Sequence, residues 1–238
     1  MNDIDVVILC GGRGKRLREV VDDRPKVMAE IGGRPFLDIL IDYAAAYGLK
    51  RFILCTGYKA SYIADYYPGR RDHTFVISKE DVPLGTAGAI KNAERFIQTD
   101  PFLVLNGDSF CPMDLEGFLY FHESKSALAS LAVLKADKSE GFGAIIMDEA
   151  QKIVSFNEKQ NTQGGLINAG IYCLKRQVFS LIPLNTKVSL EYDLFPKLVG
   201  KGFYGFSTFK KLIDIGTPQR YRYAKTALSG LNRNLKRQ

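Results

Sequence analysis

The sequence predicts an α/β fold with three layers, in which a mostly parallel sheet lies between helices. Short apolar runs, typical of strands buried on both faces, alternate with helical spacing through the first half of the chain. Two of these runs end in glycine-rich or polar segments, at Gly11 and at Asn106. Such alternation is typical of βαβ units, and ligands of these sheets bind where the strands end.

The elements are predicted from these runs in chain order. In the first half, strands are predicted at residues 4–10, 51–56, 73–78 and 102–105, and helices at residues 35–48, 60–67 and 86–97. In the second half, strands are predicted at residues 127–134, 144–147, 153–157, 167–174 and 204–208, and helices at residues 115–122, 190–198 and 218–228. Because no repeat or linker interrupts them, we expect a single domain over residues 1–228 and a flexible polar tail over residues 229–238.

The composition favours a protein that acts on small polyanions. The net charge is +7, but the basic residues are dispersed, which disfavours nucleic acid as a partner and is compatible with phosphorylated metabolites. No apolar run reaches the roughly 18 residues that span a bilayer. The acidic N-terminus does not resemble a signal peptide, and the four cysteines form no C-x-x-C pair. We therefore expect free thiols, a cytoplasmic location and no membrane partner.

The segment after the first strand, Gly11-Gly12-Arg13-Gly14-Lys15-Arg16-Leu17, is predicted to bind phosphate. Glycines let the backbone approach an anion closely, and the basic side chains add charge. Two common phosphate motifs are excluded. The dinucleotide fingerprint requires glycine in place of Leu17, and the P-loop requires serine or threonine in place of Arg16. The alternative is a basic surface turn.

Two further segments suggest contacts with a nucleotide. In Arg24-Pro25-Lys26, the proline fixes the backbone and could hold the lysine in place, although an exposed lysine is the alternative. In residues 80–89, Gly85 and Gly88 offer a backbone-rich surface for a flat base. Thr86 is expected to cap the following helix, whose N-terminus favours anions. The alternative is an ordinary loop with an N-cap that binds no ligand.

Two carboxylates near strand ends are predicted metal ligands. Asp108, in Asn106-Gly107-Asp108, follows the fourth strand and is expected to face the same crevice as the glycine loop. Asp214 precedes the capping pair Thr217-Pro218 and is expected to be free to coordinate. Mg²⁺ prefers one or two carboxylates together with phosphate oxygens. The alternatives are an Asx-type turn at Asp108 and a purely capping role for Asp214.

Taken together and in order, the motifs resemble the sugar-1-phosphate nucleotidyltransferase family. They are Gly-Gly-x-Gly-x-Arg-Leu, Pro-Lys, Pro-Leu-Gly-Thr-Ala-Gly, Asn-Gly-Asp, Asn-Ala-Gly-Ile-Tyr at residues 168–172, and Asp-Ile-Gly-Thr-Pro. The resemblance extends over about residues 4–225 and is strongest to the short bacterial D-glycero-D-manno-heptose 1-phosphate guanylyltransferases. It implies a Rossmann-like nucleotidyltransferase fold without the left-handed β-helix that longer relatives append.

The resemblance also implies roles for individual residues. Arg16, Lys26 and Asp108 would be catalytic, and Asp108 and Asp214 would hold Mg²⁺. The nucleotide would be bound by Cys10, Gly11, Gly12, Gly14, Glu80, Pro83, Gly85, Thr86 and Gly107. The sugar phosphate would be bound by Gly143, Glu158, Lys159, Asn168 and Gly170. This chain departs from the family at Lys15, where threonine is usual, and at Gln160, where proline is common.

The activity that the resemblance implies is transfer of a guanylyl group from GTP to D-glycero-α-D-manno-heptose 1-phosphate, with release of pyrophosphate. Glu80 supplies a physical reason for guanine, because a carboxylate can accept from both N1–H and the N2 amino group. The alternatives are uridylyl, thymidylyl or cytidylyl transfer to another hexose 1-phosphate, or mannose-1-phosphate guanylyl transfer.

The sequence disfavours two functions from outside this family. It is compatible with a monomer or a homo-oligomer. The missing third glycine argues against a nicotinamide-dependent dehydrogenase, and the joint presence of both carboxylates with Arg16 and Lys26 argues against a silent sugar-nucleotide sensor.

Overall fold

The computed structural model describes residues 4–67, 69–136, 144–157 and 165–229. Its strands are β1 (Val6–Leu9), β2 (Glu30–Ile31), β3 (Arg34–Pro35), β4 (Arg51–Thr56), β5 (Thr74–Lys79), β6 (Phe102–Asn106), β7 (Ser109–Phe110), β8 (Ala129–Ala136), β9 (Ala144–Met147), β10 (Ile153–Asn157), β11 (Gly165–Leu174), β12 (Phe203–Thr208) and β13 (Ile213–Asp214). Its α-helices are α1 (Phe36–Ala46), α2 (Ala60–Tyr66), α3 (Gly85–Ala93), α4 (Leu115–Ser124), α5 (Phe195–Leu198) and α6 (Pro218–Leu228).

Nine of these strands form one central sheet. β5, β4, β1 and β6 lie side by side and run parallel. β11 pairs antiparallel with both β6 and β8, and β12 runs parallel to β8. β9 pairs with β11 and forms an antiparallel pair with β10. Seven of the nine strands therefore run in one direction, as a mostly parallel sheet requires, and only β10 and the long central β11 run the other way.

The sheet separates two hydrophobic cores, which gives the fold its three layers. Along β1, Val6 and Ile8 face one core together with α1, α2, α4 and α6. Val7 faces the other core, which α3 and α5 complete. All three side chains are fully buried. Because both faces of this strand are covered, its sequence is a continuous apolar run rather than an alternating one.

A few elements differ from the prediction. The helix predicted at residues 86–97 begins at Gly85, ends its α-helical part at Ala93 and continues as a 3₁₀ turn, Glu94–Phe96. The helix predicted at residues 190–198 is a π turn, Leu190–Leu194, followed by α5. The pairs β2–β3 and β7–β13 were not predicted, because strands of two residues have no detectable periodicity.

Three further predictions concern the chain end, membrane spans and the cysteines. Apart from Ser229, the predicted tail lies outside the described residues. None of the helices in the described ranges combines the length and apolar character that crossing a membrane requires. All four cysteines are buried free thiols, and burial raises the pKa of the Cys111 thiol to about 12. The thiols are therefore protonated at neutral pH and act as small core side chains.

Candidate active site

A cleft of about 340 Å³ opens where β1 and β6 end. The parallel register places Leu9 of β1 beside Asn106 of β6, so the two strands end at the same level, and both residues line the cleft. Residues predicted from the sequence form most of the remaining wall. They are Gly11, Gly12, Lys26, Glu80, Pro83, Gly85, Thr86, Gly107 and Asp108.

Gly107 brings the two strand ends into close contact. Its N–H donates to the carbonyl oxygen of Leu9 at 3.1 Å. A Cβ atom at position 107 would lie 2.4 Å from that same oxygen, so a larger residue does not fit. The following residue, Asp108, therefore leaves the sheet at the junction of β1 and β6.

Lys26 pairs with Asp108 inside the cleft. Pro25 precedes the 3₁₀ turn Lys26–Met28, and the buried side chains of Val27 and Met28 anchor that turn. Only 15% of the Lys26 side chain is exposed, against 37% for Asp108. The structure thus brings together two groups that are 82 residues apart in sequence. The alternative of a solvated surface lysine is excluded.

Asp214 is held next to Asp108 by the short strands β7 and β13. Asp214 pairs with Ser109, and the N–H of Ile215 donates to the carbonyl oxygen of Asp108 at 3.0 Å. The side chain is not free, contrary to expectation. Its Oδ1 accepts from the N–H of Gly216 at 2.9 Å, and its Oδ2 pairs with Arg220 at 3.1 Å. Asp214 therefore belongs to the turn before α6, and an ion bound there would compete with Arg220.

The two carboxylates suit a hard cation. Among the described residues, no group of three or more histidine, cysteine or acidic side chains is arranged to hold a metal. Two neighbouring carboxylates are nevertheless the donor set that Mg²⁺ takes when substrate phosphates complete its coordination.

The predicted N-cap of α6 is confirmed, because Thr217 Oγ1 accepts from the N–H of Arg220 at 3.3 Å.

Glu80 places its carboxylate in the cleft wall between two glycines. Cβ atoms built at Gly11 and Gly57 would lie 2.8 and 2.6 Å from Glu80 Oε1. The N–H of Leu84 donates to Oε2 at 3.0 Å. Burial raises the pKa of Glu80 above its usual range, and the hydrogen bond from Leu84 partly opposes that shift. The carboxylate is therefore fixed in orientation while it lines the cleft.

The segment 186–189 packs against the loop that was predicted to hold the base. The carbonyl oxygen of Val188 accepts from the N–H groups of Ala87 and Gly88 at 3.0 and 3.1 Å. These two donors in the first turn of α3 therefore pair with the backbone of segment 186–189 rather than with a ligand. Cβ atoms at Gly85 and Gly88 would lie 2.5 Å from the oxygen of Val188 and 2.7 Å from that of Thr186. The two glycines thus admit a neighbouring backbone.

Thr86 does not cap α3, which corrects a second expectation. The helix begins at Gly85 and is preceded by Leu84, so Thr86 is already its second residue. Its hydroxyl donates to Glu191 Oε2 at 3.0 Å and accepts from the N–H of Leu190 at 2.7 Å. The hydroxyl therefore ties the loop to the segment that follows Val188.

Three predicted nucleotide or catalytic residues in and beside the glycine loop do not line the cleft. The side chain of Cys10 is buried in the core. Gly14 has a φ of 57° and packs on Lys26, whose Cβ would lie 3.1 Å from a Cβ at Gly14. Arg16 is exposed and reaches toward Gly216, where a Cβ would lie 3.7 Å from Arg16 Nη2. Arg16 therefore lies near the Asp214 turn.

Two basic residues in the cleft wall were missed from the sequence. Arg13 lies in the predicted loop, but the motif directs attention to Arg16. Lys187 enters the wall because segment 186–189 packs on the loop before α3, about 100 residues earlier in the chain. No local pattern marks Lys187, since its position depends on a tertiary contact.

Asn168 and Gly170 form the described part of the predicted sugar-phosphate half. Asn168 Oδ1 accepts from the N–H of Gly170 at 2.7 Å, and its Nδ2 donates to the hydroxyl of Tyr172 at 2.9 Å. Gly170 has a φ of 76°, and a Cβ there would lie 2.6 Å from Ser109 Oγ. This turn of β11 therefore lies against the residue after Asp108. The other predicted residues of this half, Gly143, Glu158 and Lys159, lie outside the described residues.

Comparison with known protein families identifies the family to which this chain belongs. The family described as nucleotidyl transferase matches residues 5–229, nearly all of the chain. The chain belongs to the nucleotidyl transferase family.

Relatives of this nucleotidyl transferase carry guanylyltransferase names. It is 38% identical to the D-glycero-α-D-manno-heptose 1-phosphate guanylyltransferase of Aneurinibacillus thermoaerophilus, over 94% of this chain and 98% of the relative. It is 37% identical to the protein of the same name from Campylobacter jejuni, over 92% and 97%. The mannose-1-phosphate guanylyltransferase of Mycobacterium tuberculosis is 35% identical, over 92% of this chain but 63% of the relative.

Solved structures agree on the fold of this nucleotidyl transferase. HddC from Yersinia pseudotuberculosis, in complex with GMP-PN, is 35% identical and superposes with a TM-score of 0.83 over 95% of this chain and 100% of HddC. A putative glucose-1-phosphate thymidylyltransferase from Bacillus anthracis is only 19% identical, yet its TM-score is 0.86 over 97% of both chains. At that identity the likeness concerns the fold alone.

The arrangement suits a reaction between two polyanions. Three cationic side chains, Arg13, Lys26 and Lys187, line the cleft together with the carboxylates of Glu80 and Asp108. Cations placed before the reaction stabilise the charge that develops as phosphate bonds rearrange. Positioning and charge neutralisation are what phosphoryl and nucleotidyl transfer mainly require of a protein.

Proposed function

We propose that this nucleotidyl transferase transfers a guanylyl group from GTP to D-glycero-α-D-manno-heptose 1-phosphate in the cytoplasm. The observation that carries the proposal is the fixed carboxylate of Glu80 in a cleft walled by the glycine loop. The two heptose-specific names among full-length relatives support the choice of sugar. Mannose 1-phosphate is the second candidate, because a mannose-1-phosphate guanylyltransferase also aligns over 92% of this chain.

The chemistry is a single in-line displacement. An oxygen of the sugar phosphate forms a bond to the α-phosphorus of GTP, and the bond from that phosphorus to the bridging oxygen breaks. Pyrophosphate leaves with the electron pair. The nucleophile needs no general base, since the second pKa of a phosphate monoester is about 6 and most of it is dianionic at pH 7.

The residues of this chain supply position and charge. We propose that Lys26 contacts the α-phosphate, where its ammonium offsets the charge that builds as the new bond forms. Asp108 and Asp214 would hold Mg²⁺, which supplies further charge neutralisation on the phosphates. Arg16, which lies near the Asp214 turn, is assigned to the terminal phosphates of the nucleotide. Asn168 and Gly170 are assigned to the sugar phosphate.

Glu80 gives the proposal its preference for guanine. Guanine presents N1–H and the N2 amino group side by side, and the two oxygens of a carboxylate can accept one hydrogen bond from each. Uracil and thymine place acceptors on both sides of their single N–H, which a carboxylate repels. Because the Leu84 N–H holds one Glu80 oxygen, the plane of the carboxylate is set before the base arrives.

The test is pyrophosphate release from each of GTP, UTP, CTP, dTTP and ATP, combined with heptose, mannose, glucose and N-acetylhexosamine 1-phosphates. We expect the highest kcat/KM with GTP and the heptose 1-phosphate. A highest value with UTP or dTTP would overturn the guanine assignment. A highest value with GTP and mannose 1-phosphate would move the sugar assignment to the second candidate. The absence of pyrophosphate release with every pair would overturn the activity.

A further inference from the structure

Three side chains at the start of α3 and in segment 186–191 form a hydrogen-bonded group, the latch, which consists of Thr86, Ser189 and Glu191. Glu191 Oε2 accepts from the hydroxyls of Ser189 at 2.7 Å and Thr86 at 3.0 Å. The Thr86 hydroxyl in turn accepts from the N–H of Leu190 at 2.7 Å. The three side chains of the latch are half-buried. Leu190, which lies between Ser189 and Glu191 in sequence, is fully buried and anchors that segment to the core. A carboxylate in this setting forms stronger hydrogen bonds than a neutral acceptor.

The latch lies beside a set of backbone hydrogen bonds between the loop before α3 and segment 186–191. Beside it, the N–H of Val188 donates to the carbonyl oxygen of Leu84 at 2.8 Å. The carbonyl oxygen of Val188 accepts from two N–H groups at the start of α3, as described above. Because Gly85 and Gly88 have no side chain, the backbone of Thr186 and Val188 can contact the backbone at both glycines. The loop before α3 is therefore held from behind by segment 186–191.

Two residues connect the latch to the cleft: Thr86 lines it directly, and Leu84 contacts Glu80 in its wall. The carbonyl oxygen of Leu84 accepts from Val188, while the N–H of Leu84 donates to Glu80 Oε2 at 3.0 Å. Any movement of segment 186–191 away from the loop therefore moves the donor that orients the Glu80 carboxylate. Glu191 does not line the cleft, so its influence on Glu80 passes through the loop that carries Leu84 and Thr86.

We propose that Glu191 is a positioning residue that determines how sharply the site distinguishes guanine from other purines. The inference rests on the proposed function, since it assumes that Glu80 recognises the guanine edge. Two parallel hydrogen bonds require both carboxylate oxygens in one plane with the base, and their strength falls steeply when the angle at the hydrogen narrows. A loosened latch leaves the cleft intact but allows the Glu80 carboxylate to rotate. The preference for GTP over other purine nucleotides then falls more than the activity with GTP itself.

The experiment compares kcat/KM for GTP and for ITP, whose base keeps N1–H and lacks the N2 amino group. Glu80→Gln serves as the reference, and we expect it to lower the GTP/ITP ratio at least tenfold, the size of one hydrogen bond to a charged group. Glu191→Met removes the latch acceptor, and Ser189→Ala removes one donor. We expect them to lower the ratio about fivefold and twofold, with KM for GTP raised and KM for the sugar phosphate unchanged.

Two further variants separate positioning from a general structural role. Glu191→Gln keeps an acceptor oxygen in place, so we expect it to keep the ratio within about twofold of wild type. Glu149→Met makes the same replacement as Glu191→Met at an exposed turn after β9, and we expect no change in the ratio. A merely structural role for Glu191 would lower the melting temperature of Glu191→Met and leave the ratio unchanged.

The outcomes distinguish the inference from the function on which it rests. A ratio that falls in both Glu80→Gln and Glu191→Met, and is restored in Glu191→Gln, supports the latch. A ratio that falls in Glu80→Gln but not in Glu191→Met overturns the latch and leaves guanine recognition standing. A wild type that uses GTP and ITP equally, or a Glu80→Gln variant with an unchanged ratio, overturns recognition by Glu80 and the latch with it.

Discussion

At the scale of single residues, each predicted metal ligand already has a cationic partner. Asp108 pairs with Lys26, and Asp214 pairs with Arg220 at 3.1 Å. A substitution at Asp108 can therefore act through a metal or through the position of Lys26. The two explanations differ in how activity depends on the concentration of Mg²⁺.

Asp108→Asn keeps the shape of the side chain and removes its charge. We expect kcat to fall by a factor of at least about 10², because metal charge stabilisation contributes several kcal/mol. We also expect half-maximal activity to require a higher Mg²⁺ concentration, which steady-state assays across a Mg²⁺ titration would measure. Asp65→Asn, an exposed change on α2, is the matched control and should leave both quantities unchanged. An unchanged Mg²⁺ midpoint in Asp108→Asn would assign Asp108 to Lys26 alone.

How far the sequence predicted the site depends on how local each residue's environment is. Gly107 and Asp108 follow β6, whose register with β1 brings them to the glycine loop as expected, and Lys26 reaches Asp108 from the turn after Pro25. Lys187 was missed because only a tertiary contact carries it to the cleft. The free carboxylate expected at Asp214 was wrong for a similar reason, since its partner comes from the first turn of α6.

At the scale of elements, backbone pairing decided the cases where propensity failed. A threonine at the start of a helical pattern usually caps it, but the carbonyl oxygen of Val188 accepts from the N–H groups of Ala87 and Gly88 in the first turn of α3. The Thr86 hydroxyl is consequently available for Glu191. The strands of the first half were predicted to within two residues, because burial on both faces leaves a strong apolar signal.

The packing of α4 on β8 creates a dependence of stability on pH. His122 is fully buried, its Nδ1 lies 2.9 Å from Ser130 Oγ, and burial lowers its pKa to about 4. An unfolded histidine has a pKa of about 6.5, so below that pH the unfolded chain binds a proton that the folded one excludes. The contribution of His122 is thus complete above about pH 6.5 and declines toward pH 4, by at most about 3 kcal/mol.

Urea unfolding at several pH values would measure this contribution. We expect the free energy of unfolding to fall between pH 6.5 and 4, and to fall less steeply in His122→Gln. The slope with pH is the informative quantity, because the substitution itself also changes packing. Equal slopes in wild type and variant would contradict a buried neutral His122 as the cause.

At the scale of the whole molecule, β1 joins the site to both cores. It lies between β4 and β6, contributes to the cores on both faces of the sheet and ends at the glycine loop. The sequence predicted this strand and the parallel half of the sheet, because each βαβ unit is encoded locally. It did not predict that β11 runs antiparallel in the middle of the sheet, since strand direction there depends on pairings between distant segments.

The central position of β1 makes its side chains strong determinants of stability. Ile8 is fully buried beside β4 and β6, so Ile8→Ala should lower the free energy of unfolding by about 2–5 kcal/mol through lost contacts and the cavity left behind. Ile146→Ala on β9 is the matched control, because that side chain is 57% exposed and its loss should cost about 0.5 kcal/mol or less. Chemical denaturation of both variants would measure the difference. Similar losses at the two positions would mean that β1 is not the structural centre of the sheet, whereas a large loss at Ile8 alone would place the stability of the fold in the strand that ends at the active site.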